Sequence, residues 1–449
     1  MKNFFLITLS FFLMFFLVSC EKNFVEPTSS EELNSLNKAN AGNIGINIVL
    51  NTPITDNILS ELGSYGKVMD VITEINAVRL LGKKNVLPTI QALPFVDMAT
   101  PDAERSGPPI DAVEVEDFAD GLSTWNLDAI NVTNPGFDNR QVAYDGDGVI
   151  VVIMDSGLLD SWRQYFPEER ILTQYAKSFS GGGSDAANVS EQPHKWEHDQ
   201  DSHGTHVTST VIGYSLGGTS INGVAPMVKI IPVKVLNQNG SGWSSVIAHG
   251  IMYIAGLKET VLSGYPIVIN MSLGGPSLDA MEKAAIDYAI SKGIIVVAAA
   301  GNGGNSGMHY PGAYSPVISV AASGWEYEWA TSNWWYDIND PDPNNTALYY
   351  ICDFSSRALT GQDLDVTAPG SWVVGPYQLQ SGKTSYYYLG GTSMACPHVS
   401  GIVALMLEKN PSLTANDVET KLESEAIWIP GYTSADEGSG FITADNALD

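Results

Sequence analysis

Beyond residue 124 the chain alternates short, continuously apolar runs with longer segments of helical periodicity. The runs are VIVVIM (Val149–Met154), IIPVKVL (Ile230–Leu236), IVIN (Ile267–Asn270), IIVVAAA (Ile294–Ala300) and VISVAA (Val317–Ala322). A half-buried strand would alternate apolar and polar positions. Runs with almost no polar position read instead as strands covered on both faces, as in a parallel sheet. SSVIAHGIMYIAGL and SLDAMEKAAIDYAISKG read as helices between them, the second with Ser277 as N-cap candidate and Gly293 as the C′ glycine. This alternation predicts an α/β three-layer sandwich with a mainly parallel sheet over residues 125–449.

The preceding pattern differs. Within residues 41–102, INIVL, KVMDVI, NAVRLL and PFVDMA read as strands, and TDNILSELGSYG and KKNVLPTIQAL as helices. Thr55 or Asp56 is the cap candidate of the first helix, and Pro88 falls early in the second. The order βαββαβ predicts a small α+β domain. Residues 103–124 combine Gly, two prolines and many acids, a linker composition. Residues 20–40 are polar and read as a flexible tether.

Residues 1–19 stand apart from the fold. A short basic start precedes the apolar run FFLITLSFFLMFFLV, which is too short for an ordinary membrane span and ends in LVSC. That ending resembles a bacterial lipobox, with Cys20 as the lipidated residue. Two acyl chains would suffice for stable membrane anchoring in the cell envelope; a plain signal would give a secreted protein. Cys352 and Cys396 then remain, too few for a disulfide framework, and their apolar surroundings predict buried thiols. The net charge of −28 would repel a phosphate backbone, which excludes nucleic acid as a partner.

Functional residues of open parallel sheets gather at the carboxyl ends of the strands. Asp155 ends the first apolar run, Asn302 follows the fourth, and Ser272, Leu273 and Gly274 follow the third. DSHGTHV adds His203 and His206, and GTSMACPHVSG adds Ser393 ahead of the apolar helical run IVALMLE. Acid, base and nucleophile thus run Asp155, His203, Ser393. An α/β-hydrolase runs serine, acid, histidine and carries a G-x-S-x-G elbow, which GTSMA is not.

The blocks DSG, HGTHV, GN after an alanine run and GTSMACPHVSG, in this order, resemble the signature blocks of the subtilisin-like serine proteases. LDVTAPG and GSGFITADNAL resemble further family segments, and residues 41–102 resemble the family's inhibitory propeptide. The resemblance covers about residues 125–449. It implies Ser393 as nucleophile, His203 as general base, and Asp155 as the group that orients and stabilises the imidazolium. It implies Asn302 with the Ser393 N–H as oxyanion donors. The helix starting near Ser393 supplies oriented N–H groups, and Pro397 is expected near its first turn, where N–H groups lack helical partners. The resemblance further implies that the backbones of Gly240, Ser241 and Gly242 on one side, and of Ser272, Leu273 and Gly274 on the other, hold an extended protein or peptide substrate. Cutting within 103–124 would release the propeptide, the chain's own inhibitor. His206 and His398 are expected to be structural.

Two departures from the family pattern stand out. His309 falls where the floor of the S1 pocket is often glycine, so a narrowed or polar pocket is expected. GYSLGGTSIN has few side-chain oxygens where the family's strong calcium site usually lies. DINDPDPNN offers Asp337, Asp340 and Asp342 as alternative Ca²⁺ ligands, beside the reading of a solvated acidic loop. No cofactor is required for the chemistry itself. The neighbouring aromatics Trp325, Trp329, Trp334, Trp335 and Tyr336 either pack this loop on the body or extend the cleft. A catalytically silent binding protein and an esterase are the rival readings. Filled catalytic positions weigh against the first, and chain order against the second.

Overall fold

The computed structural model describes residues 42–114, 125–134, 140–180, 189–216, 218–328, 341–380 and 383–449. The signal and tether readings, Cys20, Asp337, Asp340 and four of the five loop aromatics lie outside the described residues.

The small domain has the expected βαββαβ order: β1 (Asn43–Leu50), α1 (Asp56–Leu62), β2 (Gly66–Ile72), β3 (Ala77–Lys83), α2 (Leu87–Gln91) and β4 (Val96–Pro101). Thr55 caps α1 by accepting from the Ile58 N–H. The strands form an antiparallel sheet in the order β2-β3-β1-β4. Ile46, Ile48, Leu62, Val78, Leu80 and Ile90 are its buried core.

The reading of 103–124 as linker needs correcting in part, because β5 (Glu104–Ser106) and β6 (Ile110–Glu114) are strands. Their composition carries no strand pattern because their partners lie more than a hundred residues away. After them come α3 (Trp125–Ala129), β7 (Ile150–Asp155), β8 (Lys177–Ser180), β9 (Ser190–Glu191), α4 (His203–Ile212), the hairpin β10 (Tyr214–Leu216) and β11 (Thr219–Ile221), β12 (Lys229–Lys234), β13 (Ser241–Trp243), α5 (Ser244–Glu259), β14 (Ile267–Met271), α6 (Ala280–Ser291), β15 (Ile294–Ala299), β16 (Ile318–Trp325), β17 (Tyr349–Ile351), β18 (Val366–Pro369), β19 (Val373–Gln380), β20 (Lys383–Gly390), α7 (Thr392–Lys409) and α8 (Ala415–Glu425).

The main sheet runs β17-β16-β15-β14-β7-β12-β8-β9, with β18 also on β16. It is parallel except where β17 and β9 join it. Alternate residues of each apolar run serve opposite faces. Val149, Val151 and Ile153 pack with α4 and α7, whereas Ile150, Val152 and Met154 pack with α5 and α6. Both faces are therefore covered, giving the three layers expected. Cys352 and Cys396 are buried free thiols, and Trp325 is buried in the core.

Asp279, not Ser277, caps α6, accepting from the Met281 and Glu282 N–H groups. Both residues suit an N-cap, and the extended backbone of Asp279 decides between them. Gly293 follows α6 with φ +77°, the left-handed conformation glycine adopts without strain.

The small domain rests on the N-terminal ends of α5 and α6. Asp102 accepts from the Ser245 N–H at 3.0 Å and from the Ser244 and Ser245 hydroxyls, and Thr100 Oγ1 accepts from the Ala280 N–H. A carboxylate at a helix N-terminus meets unpaired N–H groups and the positive end of the dipole. Arg79 pairs with Asp102 at 3.0 Å, and Asn47 links Asp102 to Asp279.

Candidate active site

β7 ends in Asp155, whose side chain is fully buried. His203 opens α4, and its Nδ1 lies 2.9 and 3.0 Å from the two Asp155 oxygens. Ser202, just before it, has φ +67° and is held by its N–H to Asp199 at 2.7 Å and by the Gln378 N–H to its hydroxyl at 2.9 Å. That conformation is strained for a non-glycine residue and fixes how the imidazole enters the site. Burial works against a charged His203. The Asp155 carboxylate outweighs it, so His203 is held above its ordinary value. Burial pushes Asp201, beside the His203 N–H, up to about 6.

Ser393 is the second residue of α7 and is buried. Gly391 before it has φ +150°, backbone that glycine accepts and other residues avoid. The Ser393 hydroxyl donates to the Ser272 carbonyl at 3.1 Å, and among the described residues His203 Nε2 has no hydrogen-bond partner. The base-to-nucleophile bond is thus not made in this conformation; catalytic hydrogen bonds of this kind often tighten only in the reacting complex. Asn302 accepts from the Thr392 N–H and hydroxyl, both at 2.9 Å, through Oδ1. Its Nδ2 amide remains to donate.

Pro397 is near the first turn but past the N–H groups that lack helical partners. It is the sixth residue of α7, where its missing N–H would have bonded the Ser393 carbonyl. That carbonyl instead accepts from the Ser272 hydroxyl at 2.8 Å. The proline therefore ties the serine turn to the end of β14. His206 and His398 are buried, and burial brings them to about 3 and about 4. Both are neutral at pH 7 and bond backbone carbonyls, Val373 and Met394.

The chain's own residues 104–107 lie between the two predicted edges. β5 pairs antiparallel with β13, Arg105 opposite Gly242 and Ser106 opposite Ser241. On the other side Ser106 and Gly274 exchange both backbone hydrogen bonds, at 3.0 and 2.9 Å. The Gly107 N–H donates to the Gly240 carbonyl at 3.2 Å. A Cβ on Gly107 would stand 2.5 Å from the Ser272 carbonyl and 3.2 Å from His203 Cε1, so only glycine passes here without a shift. Leu273 is buried. His309 abuts Gly274 and Gly301: a Cβ on either would come within 3 Å of its side chain. Burial holds the His309 imidazole below its ordinary value.

Of the expected Ca²⁺ ligands only Asp342 is described, and it accepts from the Asn344 N–H in a turn. Among the described residues the carboxylates that converge are Asp363, Asp365 and Glu419, with oxygens within 4.8 Å of one another. Asp365 is buried, its Oδ2 taken by Ser319 and its Oδ1 without a partner, and burial pushes its carboxyl up to about 7. Three hard oxygen donors, one with an orphaned buried atom, fit a Ca²⁺ ion. Sequence reasoning missed them because Glu419 comes from α8, far along the chain.

An acid, an imidazole and a serine hydroxyl at the carboxyl edge of a parallel sheet, with amide donors beside them, are the parts of a serine hydrolase. Comparison with known proteins is more specific. The description of the Subtilase family (peptidase S8) matches residues 146–446, and the chain belongs to that family. It is 37% identical to subtilisin DY of Bacillus licheniformis over 287 residues, 63% of this chain and 85% of the relative. It is 32% identical to the thermostable alkaline protease of Halalkalibacterium halodurans over 323 residues, 72% of this chain and 73% of that one. Fervidolysin of Fervidobacterium pennivorans, a keratinolytic enzyme related to subtilisin, shares the fold with a TM-score of 0.66 at 23% identity, over 91% of this chain and 61% of that one. The protein is a subtilisin-like serine endopeptidase acting on protein substrates. Among the described residues no helix is long and apolar enough to cross a membrane.

Proposed function

We propose that the chain is an autoprocessed zymogen. In the mature enzyme Ser393 attacks the peptide carbonyl, His203 relays the proton, Asp155 holds the imidazole, and Asn302 with the Ser393 N–H binds the oxyanion. The observation that carries this reading is Gly107: the chain's own backbone lies against His203 and the Ser272 carbonyl as a substrate would. Residues 41–102 act as the inhibitory propeptide, held by the Asp102 and Thr100 caps on α5 and α6. Residues 1–19 export the chain, and lipidated Cys20 anchors it in the cell envelope.

The two bonds after Gly107 both have a proline nitrogen on the leaving side, Pro108 and then Pro109. A proline nitrogen has no hydrogen, and its ring occupies the space beside the base. Self-cutting is therefore placed beyond Pro109 within 103–124. The test is fluorophosphonate labelling of the full chain and of Ser393→Ala, with mass spectrometry of the adduct and of the mature N-terminus. Label on Ser393 and an N-terminus after Pro109 are expected. A folded, processed protein that takes no label overturns the reading.

In the same reading His309 closes the S1 pocket. His309→Gly should raise kcat/KM for peptides with a large side chain before the cut by about tenfold or more. An unchanged preference across a peptide panel would refute this role. Asp363, Asp365 and Glu419 bind structural Ca²⁺ in this proposal. Calcium at a hundredfold excess over its Kd should then stabilise the fold by about 2.7 kcal/mol. Calorimetry with calcium and with EDTA checks this, and a Tm that neither moves nor responds to Asp365→Asn would sink it.

A further inference from the structure

Arg105 lies two residues before Gly107, and its side chain is fully buried. Its Nε stands 3.1 and 3.3 Å from the two Glu282 oxygens, and its Nη2 lies 2.5 Å from Oε2. Nη2 also donates to the Ser277 carbonyl at 2.9 Å, and Nη1 to the Glu104 carbonyl at 3.2 Å. Gly275 completes the wall: a Cβ there would come within 2.3 Å of the Glu104 carbonyl and 2.9 Å of the guanidinium. Apart from the Glu104 carbonyl, every partner belongs to the peptidase body, to the first turn of α6 and the loop leading to it.

Glu282 is 1% exposed while Arg105 is in place. A neutral side chain in this pocket would leave a buried carboxylate without a counter-charge, which is strongly unfavourable. A guanidinium meets a carboxylate with two parallel N–H donors, a geometry that a lysine ammonium does not reproduce. Asp279 and Asp102 add to the negative field at the guanidinium. The backbone around Arg105 is held by main-chain pairing, which any extended peptide can make, so the side-chain pocket is where selection enters.

We propose that Glu282 is a specificity-determining residue, and that the enzyme selects polypeptides with an arginine two positions upstream of the residue lying against His203. With the next residue supplying the attacked carbonyl, that arginine is the fourth before the cut. The inference rests on the endopeptidase site described above and names its substrate class. Arg105 is then the chain's own copy of the recognised side chain.

The test uses enzyme matured from the full chain and two internally quenched peptides that differ only in arginine or leucine at this position. Wild type should favour the arginine peptide in kcat/KM by about 30-fold or more, with the cut position read by mass spectrometry. Glu282→Gln should remove that preference. Arg105→Leu/Glu282→Leu, which leaves no guanidinium buried alone during folding, should reverse it. Equal turnover by wild type, or a preference that survives both changes, overturns the proposal. Turnover of the leucine peptide separates this failure from failure of the protease reading. If neither peptide is cut, fluorescence anisotropy of the labelled peptides on the same matured protein, with its propeptide gone, and on its Glu282→Gln form decides. Tighter binding of the arginine peptide that depends on Glu282 supports the subsite, and binding without that difference, or no binding, overturns it.

Discussion

Replacing Ser393 with alanine is expected to lower kcat for a peptide substrate about a millionfold, a size known from subtilisin itself rather than derived from this site. Among the described residues the serine hydroxyl donates to the Ser272 carbonyl at 3.1 Å. Removing it forfeits about 0.5–1.5 kcal/mol of stability. The neighbouring ties stay, because the Ser393 carbonyl still accepts from Ser272 and Asn302 still accepts from Thr392. Activity should therefore fall by that factor while Tm moves by only a few degrees. A residual rate above that in water should persist, supplied by the oxyanion donors and substrate binding alone. Single-turnover kinetics and calorimetry on one preparation, its propeptide removed by wild-type enzyme added in trans, read both quantities. A variant that keeps its rate within tenfold of wild type would mean that another group is the nucleophile.

The apolar runs were legible because each strand of the main sheet is covered on both faces, leaving little polar interruption between Val149 and Ala322 strands. Asp155 and Asn302 could be placed for the same reason, since a polar residue at the end of such a run stands at the sheet's carboxyl edge. What escaped depended on partners distant in sequence. β5 and β6 contain acids and a proline-rich join, and they are strands only because β13 and β20 pair with them. Glu282 reads as a polar position in the first turn of an ordinary amphipathic helix, until Arg105, 177 residues earlier, is folded onto it. Pro397 was legible as a residue near the start of a helix. That its missing N–H frees the Ser393 carbonyl for Ser272 is a tertiary fact, because β14 has to end beside α7 before the bond exists.

Asp155→Asn should lower kcat about ten-thousandfold and also move the pH profile, which separates a lost charge from a lost fold. Both Asp155 oxygens face His203 Nδ1, so the carboxylate keeps the proton on Nδ1 and the lone pair on Nε2. An asparagine amide can donate to Nδ1 and send the proton to Nε2, where the imidazole no longer accepts from Ser393. The sign of the pH effect follows from the charges. In the proposed mechanism catalysis needs neutral His203, so the rate should fall as pH drops through its pKa. In wild type that acid limb is expected above the ordinary histidine value, because Asp155 outweighs burial. Without the carboxylate, burial is opposed mainly by the more distant Asp201 and Asp199, and the limb moves to lower pH. His206, at about 3, stays neutral throughout and contributes nothing to the change. A kcat/KM profile across the acid range should show the lower rate and the displaced limb together. A lower rate with the limb unmoved would assign Asp155 a purely structural part, and a rate within tenfold of wild type would remove it from the mechanism.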